Sequence, residues 1–144
     1  MKKLNNEEFN KKFDIDLKRG KIFEEKIQKI FGDKKLEVKS EDARLWAKTG
    51  NIAIEYEFNG KPSGIEATES DYWVHVLHDN EKPIIFYIFP VDLLRYFIQE
   101  EQPKTTSGGD NNLSKMYLIP ICDLIKYIYL SRKIMNNECL DKYM

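Results

Sequence analysis

Cysteine is scarce in this sequence, with Cys122 and Cys139 the only two among 144 residues. Their spacing matches no metal-binding motif, so there is no sign of a cysteine metal site. A chain of this length can bury a substantial core of its own. We therefore expect both thiols to be reduced and uninvolved in function, as is usual in a cytoplasmic protein.

Long apolar runs are also missing. No stretch reaches the roughly 18 residues that a membrane-spanning helix needs. The opening MKKLNNEEFNKKFD has no apolar segment of a secretory signal. The composition, 42% hydrophobic and 33% charged, is typical of a globular protein. We expect a single cytoplasmic domain over residues 1–144 that binds no membrane.

A strong positive charge is absent too, because the formal net charge is −1. This balance argues against a protein that coats nucleic acid. The charges are unevenly placed, however. Residues 1–50 carry more Lys and Arg than Asp and Glu, and the rest of the chain shows the reverse. A mildly basic first part would suit local contact with phosphates.

The apolar pattern predicts the elements of the first part of the chain. Residues 1–16 are polar and are expected to form an N-terminal arm, either as a short helix or loosely packed, followed by a helix from Leu17 to Phe31. A strand is predicted over Leu36–Lys39. Residues 40–50 are too many for a tight hairpin, so we expect a long functional loop before a strand over Asn51–Phe58.

The second part continues with strands over Tyr72–Leu77 and Ile84–Phe89. A helix should begin at Pro90, which favours a first helical turn, and run to about Gln99. Residues 100–114 are rich in turn formers and predict an exposed loop. Residues 115–144 should supply a last strand and helix. This order predicts an α/β (α+β) fold with a mostly antiparallel meander and one helix crossover.

Alternation in the first two predicted strands places their polar side chains on one face. In the first strand these are Glu37 and Lys39, and in the second they include Glu55 and Glu57. If the two strands paired antiparallel, three carboxylates and an ammonium would meet on one side of a sheet. Like charges opposite each other destabilise strands, so a bound divalent cation would explain such a cluster.

Simpler interpretations of these residues stay open. Charged strands often contain Glu-x-Lys, and a solvated strand face explains Glu37 and Lys39 equally. Glu24 lies at the flank of the apolar stripe of the predicted helix and can be an ordinary surface residue. For His75 and His78, packing or solvent exposure is favoured over a metal or general-base role.

The ordered motifs from Glu37 onward resemble a phage and bacterial family in the PD-(D/E)xK nuclease superfamily, whose members are Holliday-junction-resolvase-like or restriction-endonuclease-like. The residues that carry the resemblance are Glu37-Val38-Lys39, Thr49-Gly50-Asn51, Glu55, Gly60-Lys61-Pro62-Ser63-Gly64, Thr68 and Asp71-Tyr72-Trp73. The preceding DLKRGKIFEE resembles the superfamily's first helix. There a Glu four residues after a Gly often joins the metal site, and Gly20 makes this residue Glu24. The resemblance covers about residues 14–98.

This resemblance implies a restriction-endonuclease-like αβββαβ core, with a central mixed sheet flanked by helices, and an extra C-terminal helix. Residues 17–99 would form the catalytic core. It also implies a divalent-metal-dependent DNA endonuclease that hydrolyses phosphodiester bonds of branched or recombination DNA, with Mg²⁺ or Mn²⁺ as cofactor. Glu24, Glu37 and Glu55 would hold the metal, and Lys39 would assist the attacking water.

The expected partners are DNA and, by analogy with small nucleases that pair to cut two strands, a second copy of the chain. The cell would be bacterial or phage-infected. The candidates for phosphate contact are Lys21, Arg44, Lys48, Lys61 and Ser63.

The sequence also departs from the superfamily, because Glu57 stands where Glu-x-Lys would place the lysine. This leaves open a catalytically inactive relative that binds DNA or acts as an accessory protein. It also leaves open that Glu41, Asp42 or Glu57 replaces one of the three metal-binding carboxylates.

Overall fold

The computed structural model describes residues 6–134, except for the side chains of part of the first helix and of residues 132–134. The helices are α1 (Asn6–Asp33), α2 (Ala43–Thr49), α3 (Val91–Glu101) and α4 (Ile121–Ile134). The strands are β1 (Leu36–Asp42), β2 (Asn51–Phe58), β3 (Lys61–Pro62), β4 (Tyr72–Asp79), β5 (Lys82–Pro90), β6 (Thr105–Gly108) and β7 (Ser114–Pro120). Short 3₁₀ turns lie at Gly64–Glu66 and Asp110–Asn112.

The first helix begins earlier than predicted, at Asn6 instead of Leu17, so most of the expected arm is helical. Glu and Lys in this stretch are good helix formers and no proline interrupts it. Helix α1 belongs to one compact unit, and the chain from Lys35 onward forms a second unit that holds every described strand. None of the helices in residues 6–134 is long and apolar enough to cross a membrane.

The predicted loop over residues 40–50 is wrong, because β1 continues to Asp42 and α2 follows it directly. The Asp42 side chain accepts a hydrogen bond from the backbone N–H of Arg44 at 2.9 Å. Gly50 ends the helix in the left-handed conformation, with φ 71°, and donates to the carbonyl of Trp46. Seven residues are too few for a stable isolated helix, so these two caps matter for α2.

The strands form two sheets instead of one. In the three-stranded sheet, of order β1-β4-β5, β1 runs parallel to β4 and β5 runs antiparallel to β4. The four-stranded sheet, of order β3-β2-β7-β6, is antiparallel throughout. The α+β class with a mixed sheet is therefore confirmed. The expected antiparallel pairing of β1 with β2 is wrong, since the two strands belong to different sheets.

The reason for this difference is long-range pairing. β1 pairs with β4 without interruption, from Leu36 opposite Tyr72 to Asp42 opposite His78. A parallel pair needs a connection of a dozen or more residues, which α2, β2 and the following loop supply. β2 in turn pairs with β7, a strand that starts more than fifty residues later. Nothing in the local alternation of either strand encodes these partners.

The core contains residues of both sheets and of α3 and α4. Its fully buried members include Ile52, Ile54 and Ile119 of the antiparallel sheet, Trp73 and Leu77 of β4, Leu94 of α3 and Leu124 of α4. Helix α3 follows Pro90 as predicted, with its apolar side chains inward. β1 is the exception, because Val38 is 59% exposed while the Glu37 side chain is only 27% exposed. In β1 the polar side chain is thus covered more than the apolar one.

The predicted exposed loop over residues 100–114 contains a strand, β6, which pairs with β7 from Thr105 to Gly108. The sequence TTSG has no apolar alternation, so this strand could not be predicted locally and depends on its pairing with the edge of β7. Cys122 is exposed on α4, and Cys139 lies outside the described residues.

Replacing Asp42 by Asn keeps an acceptor for the α2 cap but removes its negative charge. The hydrogen bond from the Arg44 side chain holds the pKa of Asp42 at about 2, below its ordinary 3.8. Ionised Asp42 therefore stabilises the folded state above pH 3.8, and this gain is lost as the pH falls through 2. Urea unfolding should show Asp42→Asn to be less stable than the wild type at pH 7, with the difference closing by pH 2. A difference of unchanged size at pH 2 would contradict this account.

Candidate functional site

Glu37 and Lys39 of β1 form an ion pair, as their shared face predicts. The Glu37 Oε1 atom lies 2.9 Å from the Lys39 Nζ atom. The other oxygen, Oε2, accepts a hydrogen bond from the Thr68 hydroxyl at 3.1 Å. The Lys39 side chain is 43% exposed, so its ammonium stays accessible to solvent and to a bound molecule.

Glu55 of β2 is held by hydroxyl groups alone in the described part of the chain. Its Oε1 accepts from the Ser63 hydroxyl at 2.6 Å, and its Oε2 accepts from the Ser114 hydroxyl at 2.8 Å. The residue is half-buried, and Ser114 is buried. Two hydroxyls orient a carboxylate without neutralising it. Glu55 therefore has the oxygen chemistry that a hard cation prefers.

One loop contacts both carboxylates, and we call residues 63–68 the bridging loop. Its first residue donates to Glu55 and its last donates to Glu37. Inside the loop, the backbone N–H of Thr68 donates to the carbonyl of Gly64 at 2.9 Å. Ile65 is fully buried and anchors the loop in the core. The bridging loop thus connects a residue of one sheet to a residue of the other.

Arg95 of α3 holds the bridging loop through hydrogen bonds to its backbone carbonyls. Its Nε and Nη2 atoms donate to the carbonyl of Ile65 at 3.1 and 2.9 Å, and Nη2 also donates to the carbonyl of Thr68 at 2.8 Å. A guanidinium suits this task because its planar donors fit two carbonyls at once. The sequence analysis missed Arg95, although a lone cation among the apolar residues of VDLLRYFI was a visible signal.

Five of the residues that carry the nuclease resemblance are therefore held in two contact groups joined by the bridging loop: Glu37, Lys39 and Thr68, and Glu55 with Ser63. Comparison with protein-family models, with curated proteins and with solved structures finds no match for this chain. The resemblance rests on the motifs themselves. Ser114, which also binds Glu55, belongs to no motif, and no sequence signal pointed to it.

The predicted metal triad remains a prediction. Among the side chains that the structure describes, no three His, Cys, Asp or Glu residues are grouped to hold a metal ion. The side chain of Glu24 lies outside this description, and α1 forms a unit of its own. Glu37 and Glu55 offer suitable carboxylate oxygens on the two sides of the bridging loop.

The three alternative carboxylates each have another partner. Asp42 caps α2 and its Oδ2 lies 2.6 Å from the Arg44 Nη2 atom. Glu57 lies 2.6 Å from the Lys115 Nζ atom, and this contact raises the pKa of Lys115 above its usual value. Glu41 accepts hydrogen bonds from the backbone N–H of Ala53 and from His75. These contacts give each carboxylate a structural role.

The candidates for phosphate contact lie in different elements. Lys48 lies in the last turn of α2 and Lys61 begins β3, and both are exposed. Arg44 is exposed but engaged with Asp42. Lys21 is an exposed residue of α1. Ser63 donates its hydroxyl to Glu55, so its part in the site is to orient that carboxylate.

Gly64 and Gly60 offer a matched test of how closely the bridging loop packs. Both have positive φ, 50° and 75°, so alanine is strained at either position by about 1–2 kcal/mol. A Cβ at Gly64 would also overlap the backbone carbonyl of Glu55, whereas at Gly60 it meets nothing. We expect Gly64→Ala to lower the free energy of unfolding by about 1–3 kcal/mol more than Gly60→Ala does. Urea unfolding of both variants measures this, and equal losses would refute the close packing.

Proposed function

We propose that this protein is a divalent-metal-dependent DNA endonuclease that hydrolyses phosphodiester bonds, with branched or recombination DNA as its substrate. The supporting observation is the convergence of the motif residues. Glu37 contacts Lys39 and Thr68, while Glu55 contacts Ser63 of the same loop. A solvated strand face would not need hydroxyl donors from one loop on both carboxylates.

The carboxylates would hold Mg²⁺ or Mn²⁺. Glu37 and Glu55 supply oxygens that suit these ions, and Glu24 is proposed as the third ligand. When bound, such a metal activates water and neutralises charge on the phosphate. Thr68 and Ser63 orient the two carboxylates before any ion arrives. This preorganisation lowers the entropy that binding must overcome.

Lys39 is proposed to act on the attacking water and on the charge that develops at the phosphate. Its ammonium is next to Glu37 and partly exposed, so it can reach a bound group without leaving the site. A preorganised positive charge of this kind stabilises a transition state more than it stabilises the substrate.

The mixed sheet of β1, β4 and β5 supports a restriction-endonuclease-like core as part of this proposal. Because the formal net charge is −1, DNA contact would depend on local cations. Lys48 and Lys61 are exposed candidates, with Lys21 and Arg44 in addition. We also propose a homodimer, since cutting both strands of a duplex is simplest with two sites.

The decisive experiment compares two variants of the site with a matched control. Linear, single-stranded and four-way-junction DNA would be incubated with Mg²⁺, Mn²⁺ or EDTA. We expect Glu37→Gln and Lys39→Met to lose about 10²-fold or more in cleavage rate. The control is Glu57→Gln, because Glu57 is also a strand carboxylate paired with a lysine and its side chain is likewise 27% exposed. It should cut within a few fold of the wild type.

Two outcomes would contradict the proposal. If the protein binds DNA but cleaves it under no condition, it is not a nuclease, and the alternative of a nuclease-fold protein that only binds DNA is favoured. Full metal-dependent cleavage by Glu37→Gln would show that the site is elsewhere.

A further inference from the structure

A second polar network lies beside the proposed site and takes no part in it directly. Glu41 of β1 and His75 of β4 are joined by a contact of 2.9 Å between Oε2 and Nε2. The Trp73 Nε1–H group donates to the Nδ1 atom of His75 at 3.3 Å. The His75 and Glu41 side chains are only 2% and 15% exposed, and Trp73 is fully buried.

These contacts determine the form of the imidazole. A tryptophan N–H can only donate, so the Nδ1 atom of His75 must accept. The ring proton then lies on Nε2 and is donated to the Glu41 carboxylate. A partner on each side thus holds His75 in one tautomer.

Glu41 also reaches the other sheet. Its Oε2 atom accepts the backbone N–H of Ala53 in β2 at 3.1 Å. One edge of β2 pairs with β7, and Ala53 takes part in that pairing. Along the other edge, β3 pairs only with Glu57 and Phe58, so this edge is uncovered at Ala53. The N–H of Ala53 points to this uncovered edge, and the carboxylate of Glu41 satisfies it. The hydrogen bond thus joins a strand of the mixed sheet to a strand of the antiparallel sheet.

The positions of these residues suggest what the link does. Glu41 shares a strand face with Glu37, four residues away, and Ala53 shares one with Glu55, two residues away. The two proposed metal-binding carboxylates lie in different sheets, so their spacing depends on how the sheets are held together. The Glu41–Ala53 hydrogen bond joins β1 to β2 at a point four residues from Glu37 and two residues from Glu55 along the chain.

We propose that Glu41 and His75 are positioning residues that set the spacing of Glu37 and Glu55, an inference that rests on the proposed function. His75 holds the Glu41 carboxylate, and Glu41 holds the edge of β2. Their proposed role is indirect, since His75 is buried within the sheet and the Oε2 atom of Glu41 accepts from both His75 and Ala53.

The first measurement needs no substitution. Long-range ¹H–¹⁵N NMR correlations of the wild-type protein near neutral pH should show His75 protonated at Nε2 and unprotonated at Nδ1. A proton on Nδ1 would overturn the assignment, because Trp73 would then have no acceptor.

The second measurement compares variants of the two histidines of β4. His75→Gln keeps an N–H donor for Glu41, while His75→Phe keeps a ring but no donor. His78→Phe is the control, since His78 lies on the opposite face of the same strand. Amide hydrogen exchange would be followed at Ala53, which reports the link, and at Ser63, whose N–H donates to Tyr56 next to Glu55.

We expect His75→Phe to speed exchange at least tenfold at both Ala53 and Ser63, His75→Gln to restore most of the protection, and His78→Phe to leave both amides unchanged. Faster exchange at Ala53 alone would overturn the proposal, because the link would then not position the site. Equal exchange in His75→Phe and His78→Phe would overturn it as well. If His75→Phe fails to fold, Glu41→Gln replaces it, with the same expectations.

Cleavage assays test whether the loss of this positioning lowers the rate of DNA cleavage. His75→Phe should lower kcat tenfold or more and leave KM for DNA within about twofold, with partial recovery in His75→Gln. An unchanged kcat would contradict the positioning role. If the wild type cuts no DNA, the proposed function fails, and exchange at Ser63 still decides whether Glu41 and His75 position Glu55.

Discussion

The parallel pairing of β1 with β4 is the interaction on which the rest of the structure depends. Its seven residue pairs place the polar face of β1 beside Trp73 and His75. Because β1 pairs with β4, it does not form the antiparallel pair with β2 that the alternation of the two strands suggested. Because every buried backbone N–H and C=O needs a partner, β2 must pair elsewhere, and β7 supplies that partner. Two sheets result, with the bridging loop and Glu41 between them.

The polar face of β1 shows how charges can be tolerated in such a place. Burying an unpaired carboxylate is costly, and each one here has donors. Glu37 is held by Lys39 and Thr68, and Glu41 by His75 and Ala53. A slip of one residue between β1 and β4 would turn the polar face of β1 to the other side of the sheet and break the Glu41–His75 contact. The network therefore specifies register as well as site geometry.

Part of the candidate site was predictable from local sequence. Alternation placed Glu37 and Lys39 on one face, and the ion pair follows from their spacing. Glu55 was correctly assigned to the polar face of β2. Its partners were not predictable, because Ser114 comes from a strand far along the chain. The same holds for Arg95, whose contacts with the bridging loop span about 30 residues.

The sequence alone determined the mixed α+β class, the positions of four strands and the start of α3 after Pro90. These features depend on residues within a few positions of one another. The caps of α2 at Asp42 and Gly50 are local contacts as well, yet the sequence analysis predicted a loop there. Tertiary structure decided which strands pair and which face of β1 is covered. In LEVKSED, Leu36 and Val38 alternate with the charged residues, and pairing with β4 decided that the charged side is the covered one, because burial depends on neighbouring strands and not on the local pattern.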